Sequence, residues 1–205
     1  MQVSEYPDPA QRRLPSACHN GGMTRLNPES SSSLYRVILV CTGNICRSAM
    51  AEAVLRDRLA GPLAQRVHVS SAGVSDEEHG NPMDHRARRV LAAADYTTGP
   101  AAEVIDHHRA HRITDEEILG SNLILAMTAR HERELRRRAE RLGADLTRIR
   151  MYRSLDPEAG PATDLDVPDP WYGTEADFED TLAVVERVSD ALATRLADET
   201  STAAP

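Results

Sequence analysis

Cys41, Arg47 and Ser48 stand close enough along the chain for one tight loop to bring their side chains to a single point. They belong to the segment Val40-Cys41-Thr42-Gly43-Asn44-Ile45-Cys46-Arg47-Ser48, which follows an apolar run and precedes a helical pattern. Successive backbone N–H groups in a strand-to-helix loop can curl into a nest for an anion. The helix behind adds unpaired N–H groups and the positive end of its dipole. Gly43 and Asn44 are residue types that tolerate unusual backbone angles. A nest of this kind favours the thiolate of a cysteine at its base, and the thiolate is the nucleophilic form. Arg47 is then expected to fork onto two oxygens of a bound oxyanion. Ser48 is expected to hydrogen-bond the sulfur and steady it as a leaving group. A thiolate facing a trapped tetrahedral oxyanion is set up for phosphoryl transfer. The bland reading of Cys41 is a small buried hydrophobe that ends a strand.

The elements that would position this loop can be read from the hydrophobic pattern. Arg36 to Val40 reads as a strand buried on both faces. Ala51, Val54, Leu55 and Leu59 recur at helical spacing after Arg47. Val67 to Ser71 reads as a second strand, and Ala87, Val90, Leu91 and Ala94 put a helix over 84–94. Thr114 to Glu117 is a capping box opening a short helix. Leu123 to Met127 reads as a third strand, Ala129 to Leu142 as an arginine-rich helix, and Thr147 to Tyr152 as a fourth strand. Thr174 is expected to cap a last helix whose inner face carries Phe178, Leu182, Val185, Val188, Leu192 and Leu196. Strands alternating with helices imply a parallel sheet covered on both sides. Ligands of such sheets sit beyond the carboxyl ends of the strands, at a topological switch point. The first strand ends at Cys41.

The chain has 205 residues and a formal charge of −8, which argues against nucleic-acid binding through a general basic surface. All 24 basic residues are arginine, so a Walker A loop and lysine Schiff-base chemistry are excluded. With 7 aromatic residues, the core must be built mainly from Leu, Val, Ile and Ala. No run has the length of a membrane span. Three cysteines, Cys18, Cys41 and Cys46, do not make a disulfide scaffold, and a cytoplasmic setting is the default. Residues 1–33 are expected to be a flexible leader, 34–197 the folded domain and 198–205 a tail. His107, His108 and His111 lack partners at ligand spacing, so no metal and no cofactor is expected. The 130–141 helix reads as a solvated face with pairs of the Glu134–Arg138 type. Expulsion of an alkoxide or phenolate needs a proton donor. Three Asp-Pro pairs supply candidates, at Asp8, Asp156 and Asp169, and sequence physics leaves the choice open.

The octet Cys41 to Ser48 resembles the phosphate loop of the low-molecular-weight protein tyrosine phosphatases, nearest in pattern to the bacterial secreted-type A class. The likeness continues through Met50-Ala51-Glu52, Ser71-Ala72-Gly73, Pro82-Met83-Asp84, His108-Arg109-Ala110 and Asp169-Pro170. It implies an α/β fold of flavodoxin-like type: a four-stranded parallel sheet flanked by helices on both faces, with the phosphate loop after strand 1. It implies Cys41 as nucleophile, Asp169 as general acid and Arg47 as oxyanion holder. Thr42, Gly43, Asn44, Ile45 and Cys46 would complete the phosphate-binding loop, and Ser71 and His108 would support Asn44. Glu77, Trp171 and Tyr172 would stand at the walls of the cleft. The implied substrate is a phosphotyrosine-containing protein, with phosphate or vanadate as inhibitors. A monomer is expected, in the cytoplasm or exported without a signal peptide. Cys46 could capture an oxidised Cys41 as a disulfide or simply pack under the loop.

Several positions depart from the family pattern. Ala49 stands where proline is usual, Glu77 where an aromatic wall is usual, Trp171 for a tyrosine and Thr128 for an aspartate. An acidic wall at Glu77 would repel acidic phosphopeptides, whereas Trp171 keeps an apolar slab for a phenol ring. Three other readings share parts of the pattern. An arsenate reductase would need further distal cysteines, and none follows Cys46. A protein-arginine phosphatase would carry threonine where this chain has Ile45, whose apolar bulk leaves guanidinium donors unpaired. A non-catalytic phosphotyrosine-binding module would not require Cys41, Arg47 and Asp169 together.

Overall fold

The computed structural model of the chain describes residues 34–59, 61–160 and 164–202. The expected leader, with Asp8 and Cys18, lies outside the described residues. Val37 to Val40 are almost without exposure, as an aliphatic run covered on both faces must be. They form the centre of β1 (Tyr35–Cys41), which pairs in parallel with β2 (Val67–Gly73) on one side and β3 (Leu123–Ala126) on the other. β3 pairs with β4 (Ile149–Met151), so the sheet order is β2-β1-β3-β4 and every pairing is parallel. The chain steps from β1 to one neighbour and later returns to the other. The switch point therefore falls at the carboxyl end of β1, where Cys41 stands.

Seven α-helices are described: α1 (Arg47–Arg58), α2 (Pro62–Arg66), α3 (His85–Ala93), α4 (Gly99–His107), α5 (Asp115–Gly120), α6 (Ala129–Leu142) and α7 (Glu175–Thr202). β1 alternates its side chains between two cores. Val37, Leu39 and Cys41 join Met50, Leu55, Leu91, Phe178, Val185 and Leu192 under α1 and α7. Ile38 and Val40 join Ile113, Ile118, Ile124, Leu135 and Ile149 under α5 and α6. Each fully buried Leu or Ile contributes roughly 1.5–3 kcal/mol. That burial fixes both ends of the loop between β1 and α1. Among the described residues no helix is long and apolar enough to cross a membrane.

Several expectations need correction. The fourth strand shrinks at both ends. Asp145 Oδ1 accepts from Thr147 N at 2.9 Å and from Thr147 Oγ1 at 2.7 Å, winding Leu146–Arg148 into a 3-10 turn. Tyr152 turns inward to bond Val185 O and Ser189 Oγ, each at 3.2 Å. α4 was not legible, because its apolar stripe is only Ala101, Val104 and Ile105. The cap of α7 is reversed: Thr174 donates both its N–H and its hydroxyl to Asp177 Oδ2. The named Glu134–Arg138 pair does not form, whereas Glu132–Arg136, of the same i,i+4 type, does at 3.1 Å. Arg138 reaches Asp115 at 2.6 Å, and Glu134 pairs with Arg137 at 2.6 Å. The capping box at Thr114 and Glu117 forms in both directions.

Candidate active site

Cys41 ends β1 with its side chain turned into the loop that follows. Its Sγ lies 3.0 Å from Ser48 Oγ and accepts from Asn44 N at 3.3 Å. Asn44 takes a left-handed backbone (φ 60), which is where the chain turns back. Gly43 serves a different purpose from the one its backbone freedom suggests. A Cβ there would come within 2.8 Å of Glu78 Cγ, so the glycine admits Glu78 against the loop.

Asn44 is fully used. Its Nδ2 donates to Ser48 Oγ at 3.0 Å and to Ser71 Oγ at 2.8 Å, and its Oδ1 accepts from His111 N at 3.2 Å. His108 Nε2 bonds Asn44 O at 2.6 Å, and burial lowers the pKa of its ring. Ser71 Oγ donates a hydrogen bond to Glu52 Oε2 at 2.6 Å, a carboxyl whose pKa is raised by burial. Ser48 Oγ accepts from Asn44, and its own hydrogen has two acceptors in reach, the Cys41 sulfur at 3.0 Å and Ala72 O at 3.4 Å. Asn44, Ser48, Ser71 and His108 thus lie behind the loop. Cys41, Thr42, Gly43, Ile45, Cys46, Arg47, Glu77, Asp169, Trp171 and Tyr172 line a cleft of about 130 Å³. Cys41 and Cys46 are both free thiols, and burial, with Asp84 and Cys41 adding, pushes the Cys46 pKa strongly up.

Arg47 returns over the loop with a side chain only 5% exposed. Its Nη2 meets Asp169 Oδ2 at 2.7 Å and Thr42 Oγ1 at 3.4 Å, and its Nη1 meets Val167 O at 3.2 Å. Its Nε is buried and has no partner among the described residues. The Asp169 side chain is 43% exposed, so solvent keeps this ion pair near 0–1 kcal/mol, by the usual figure of about that size for exposed pairs.

Of the two Asp-Pro candidates among the described residues, Asp169 lines the cleft and Asp156 does not. Asp156 is buried and gripped by Arg187 at 2.6 and 2.9 Å and by Arg153 at 3.3 Å, away from the cleft. These cations, Arg187 first, hold its pKa down at about 2. A carboxylate depressed in the folded state stabilises fully above its unfolded pKa of about 3.9, and that stabilisation is lost as pH falls through the folded value. The melting temperature of the wild type should therefore fall between pH 4 and pH 2 more steeply than that of Asp156→Asn. Parallel curves would remove this role.

Three groups around the cleft carry no signal in the linear sequence. Glu78 stands beside Glu77 on one wall. Arg86 grips Asp84 through Nε and Nη2, each at 3.1 Å, and Trp171 O through Nη1 at 3.1 Å. Its guanidinium lies 4.6 Å from the Phe178 ring centre and 5.5 Å from that of Trp171, contacts worth roughly 0.5–2 kcal/mol each. Asp84 N in turn donates to Ile45 O at 2.9 Å, so the pair ties the cysteine loop to the Asp169 segment. His131 stands behind Thr42.

Comparisons with known proteins show the family and the fold. The sequence model described as Low molecular weight phosphotyrosine protein phosphatase matches residues 36–202. The low molecular weight protein-tyrosine phosphatase A of Mycobacterium bovis is 42% identical over 156 residues, covering 76% of this chain and 87% of its own. The low molecular weight protein-tyrosine-phosphatase of Streptomyces coelicolor is 42% identical over 160 residues, covering 77% of this chain and 91% of its own. Among solved structures, the YwlE arginine phosphatase of Geobacillus stearothermophilus superposes with a TM-score of 0.67 at 26% identity, covering 83% of this chain and 98% of its own. With the sheet order, the cysteine loop at the switch point and these matches in hand, the chain belongs to the low molecular weight phosphotyrosine protein phosphatase family.

Proposed function

We propose that the protein hydrolyses phosphotyrosine in proteins through a cysteinyl-phosphate intermediate, without a metal. The observation that carries this is the meeting in one cleft of Cys41, Arg47 and Asp169, with Arg47 Nη2 2.7 Å from Asp169 Oδ2 and its buried Nε without a partner among the described residues. The phosphate dianion takes Arg47 from Asp169 and freezes its own oxygens against the loop amides. Cys41 Sγ, as thiolate, attacks phosphorus in line, and the bond from phosphorus to the phenolic oxygen breaks. Asp169 gives that oxygen its proton, so tyrosine leaves neutral. A water then attacks the cysteinyl phosphate and yields a proton to the Asp169 carboxylate. The S–P bond breaks, the thiolate returns and inorganic phosphate departs. Ser48, already fixed by Asn44, donates to the sulfur each time it carries charge. Phosphate and vanadate compete for the same nest. Catalysis by a free thiolate suits a reducing compartment such as the cytoplasm.

The substrate class follows from Ile45 and Trp171. Ile45 presents an apolar side chain to the cleft, which offers no acceptor to the N–H groups of a phosphorylated guanidinium. Trp171 offers a flat face to a phenol ring. Matched phosphopeptides bearing phosphotyrosine, phosphoarginine or phosphoserine should be turned over in strong preference for tyrosine, by about 10²-fold or more in kcat/KM. Ile45→Thr should narrow the gap to arginine. A wild type faster on phosphoarginine would overturn the assignment.

A further inference from the structure

Behind Arg47 lies a buried histidine that no step above uses. His131, in the first turn of α6, is 2% exposed. Its Nε2 is 2.9 Å from Thr42 Oγ1, and its Nδ1 is 2.9 Å from Thr128 Oγ1. Thr128 is the N-cap of α6, and its hydroxyl also accepts from His131 N at 3.3 Å. Thr42 Oγ1 accepts from Arg47 Nη2. One line of contacts thus runs from the start of α6, through the imidazole and a loop hydroxyl, to the guanidinium.

Arg47 has three acceptors among the described residues. Val167 O and Asp169 Oδ2 belong to the acid segment, and only Thr42 belongs to the cysteine loop itself. An oxyanion that takes Nη2 from Asp169 leaves the guanidinium held by Val167 O on Nη1 and by Thr42 on Nη2, and of these two Thr42 is the contact from the cysteine loop. We propose that His131 is a positioning residue for Arg47, a strut that locks the Thr42 hydroxyl and through it sets the plane of the guanidinium facing the cleft. The inference rests on Arg47 holding the oxyanion.

The chemistry of the strut agrees with this. Burial, then the charges of Arg47 and Arg130, lower the His131 pKa to about 4 against the opposing pull of Asp166, so the ring is neutral at ordinary pH. A neutral imidazole has one donor and one acceptor nitrogen, and two flanking hydroxyls can satisfy either tautomer. At position 128 a carboxylate would bring a full negative charge to the far side of the imidazole. Thr128 brings a neutral hydroxyl instead, which leaves the Arg47 charge for Asp169 and the oxyanion.

The test uses glutamine and asparagine as partial imidazoles. The amide of glutamine reaches the place of Nε2 and can keep the bond to Thr42. The amide of asparagine reaches the place of Nδ1 and can keep only the bond to Thr128. Vanadate inhibition, kcat and KM with an aryl phosphate are measured on wild type, His131→Ala, His131→Gln, His131→Asn and Arg47→Lys. A guanidinium misplaced by about 1 Å costs up to about 10²-fold. His131→Ala and His131→Asn should each weaken vanadate inhibition at least about tenfold, with a matching loss in kcat/KM, and His131→Gln should stay within about threefold of wild type. Should His131→Ala fail to fold, the glutamine and asparagine variants decide the matter alone. Rescue by asparagine as complete as by glutamine would reduce His131 to a cap of α6 and overturn the proposal. So would unchanged vanadate inhibition in all three variants while Arg47→Lys loses it. Vanadate inhibition unchanged in Arg47→Lys would fell the site assignment, and this proposal with it.

Discussion

Cys41→Ser should lower turnover of every phosphomonoester by more than about 10³-fold while the protein still binds phosphate. The serine hydroxyl is isosteric enough to keep the loop, yet at neutral pH it is not an anion. Neither Ser48 nor Asn44 is a base that could make it one. The amides and Arg47 that hold the oxyanion are untouched, so ground-state binding survives the loss of chemistry. Steady-state assay with p-nitrophenyl phosphate, beside calorimetric titration with phosphate, separates the two. A variant that retained turnover within about tenfold of wild type would remove Cys41 from the reaction.

Asp169→Asn should show a loss that depends on the leaving group. With phenyl phosphate or phosphotyrosine the departing oxygen is basic and needs its proton in the transition state, so kcat should fall by about 10²–10⁴-fold. With a dinitrophenyl ester the oxygen leaves without help, and the first step should be nearly unaffected. Vanadate inhibition should change little, because Arg47 and the loop amides supply that affinity. Arg86→Ala is expected to give a milder version of the same leaving-group pattern. Arg86 holds Trp171 O and Gly173 O, the backbone immediately after the acid. Equal losses for good and poor leaving groups would take Asp169 out of the acid role.

The parts of this site that lie in one stretch of chain were open to reading from sequence. The buried run of β1, the loop from Cys41 to Ser48 and the apolar face of α1 are contiguous, so their pattern announces a strand, a nest and a helix in order. The capping box at Thr114 is equally local. What escaped arrives from far along the chain. Thr42 and His131 are 89 residues apart, and Arg86 and Trp171 are 85 apart. No spacing rule connects such pairs; only the sheet order brings α6 and the acid segment over the end of β1. The difference between the two described Asp-Pro pairs likewise lies in their surroundings, which local sequence does not show. Asp156 is buried against two partly exposed arginines, whereas Asp169 stands at the cleft. The fourth strand was overdrawn because Asp145 and Tyr152 had better local and core partners than the sheet edge could offer.

The most direct test is to catch the phosphorylated sulfur. In Asp169→Asn, a dinitrophenyl ester should load Cys41 rapidly, and water without its base should unload it slowly. Rapid acid quench followed by intact-mass and peptide mapping should then find one phosphoryl group per chain, on Cys41, with a burst of phenol equal to the enzyme present. A phosphoryl group on any other residue, or phenol release with no burst and no phosphorylated cysteine at any time, would contradict the account.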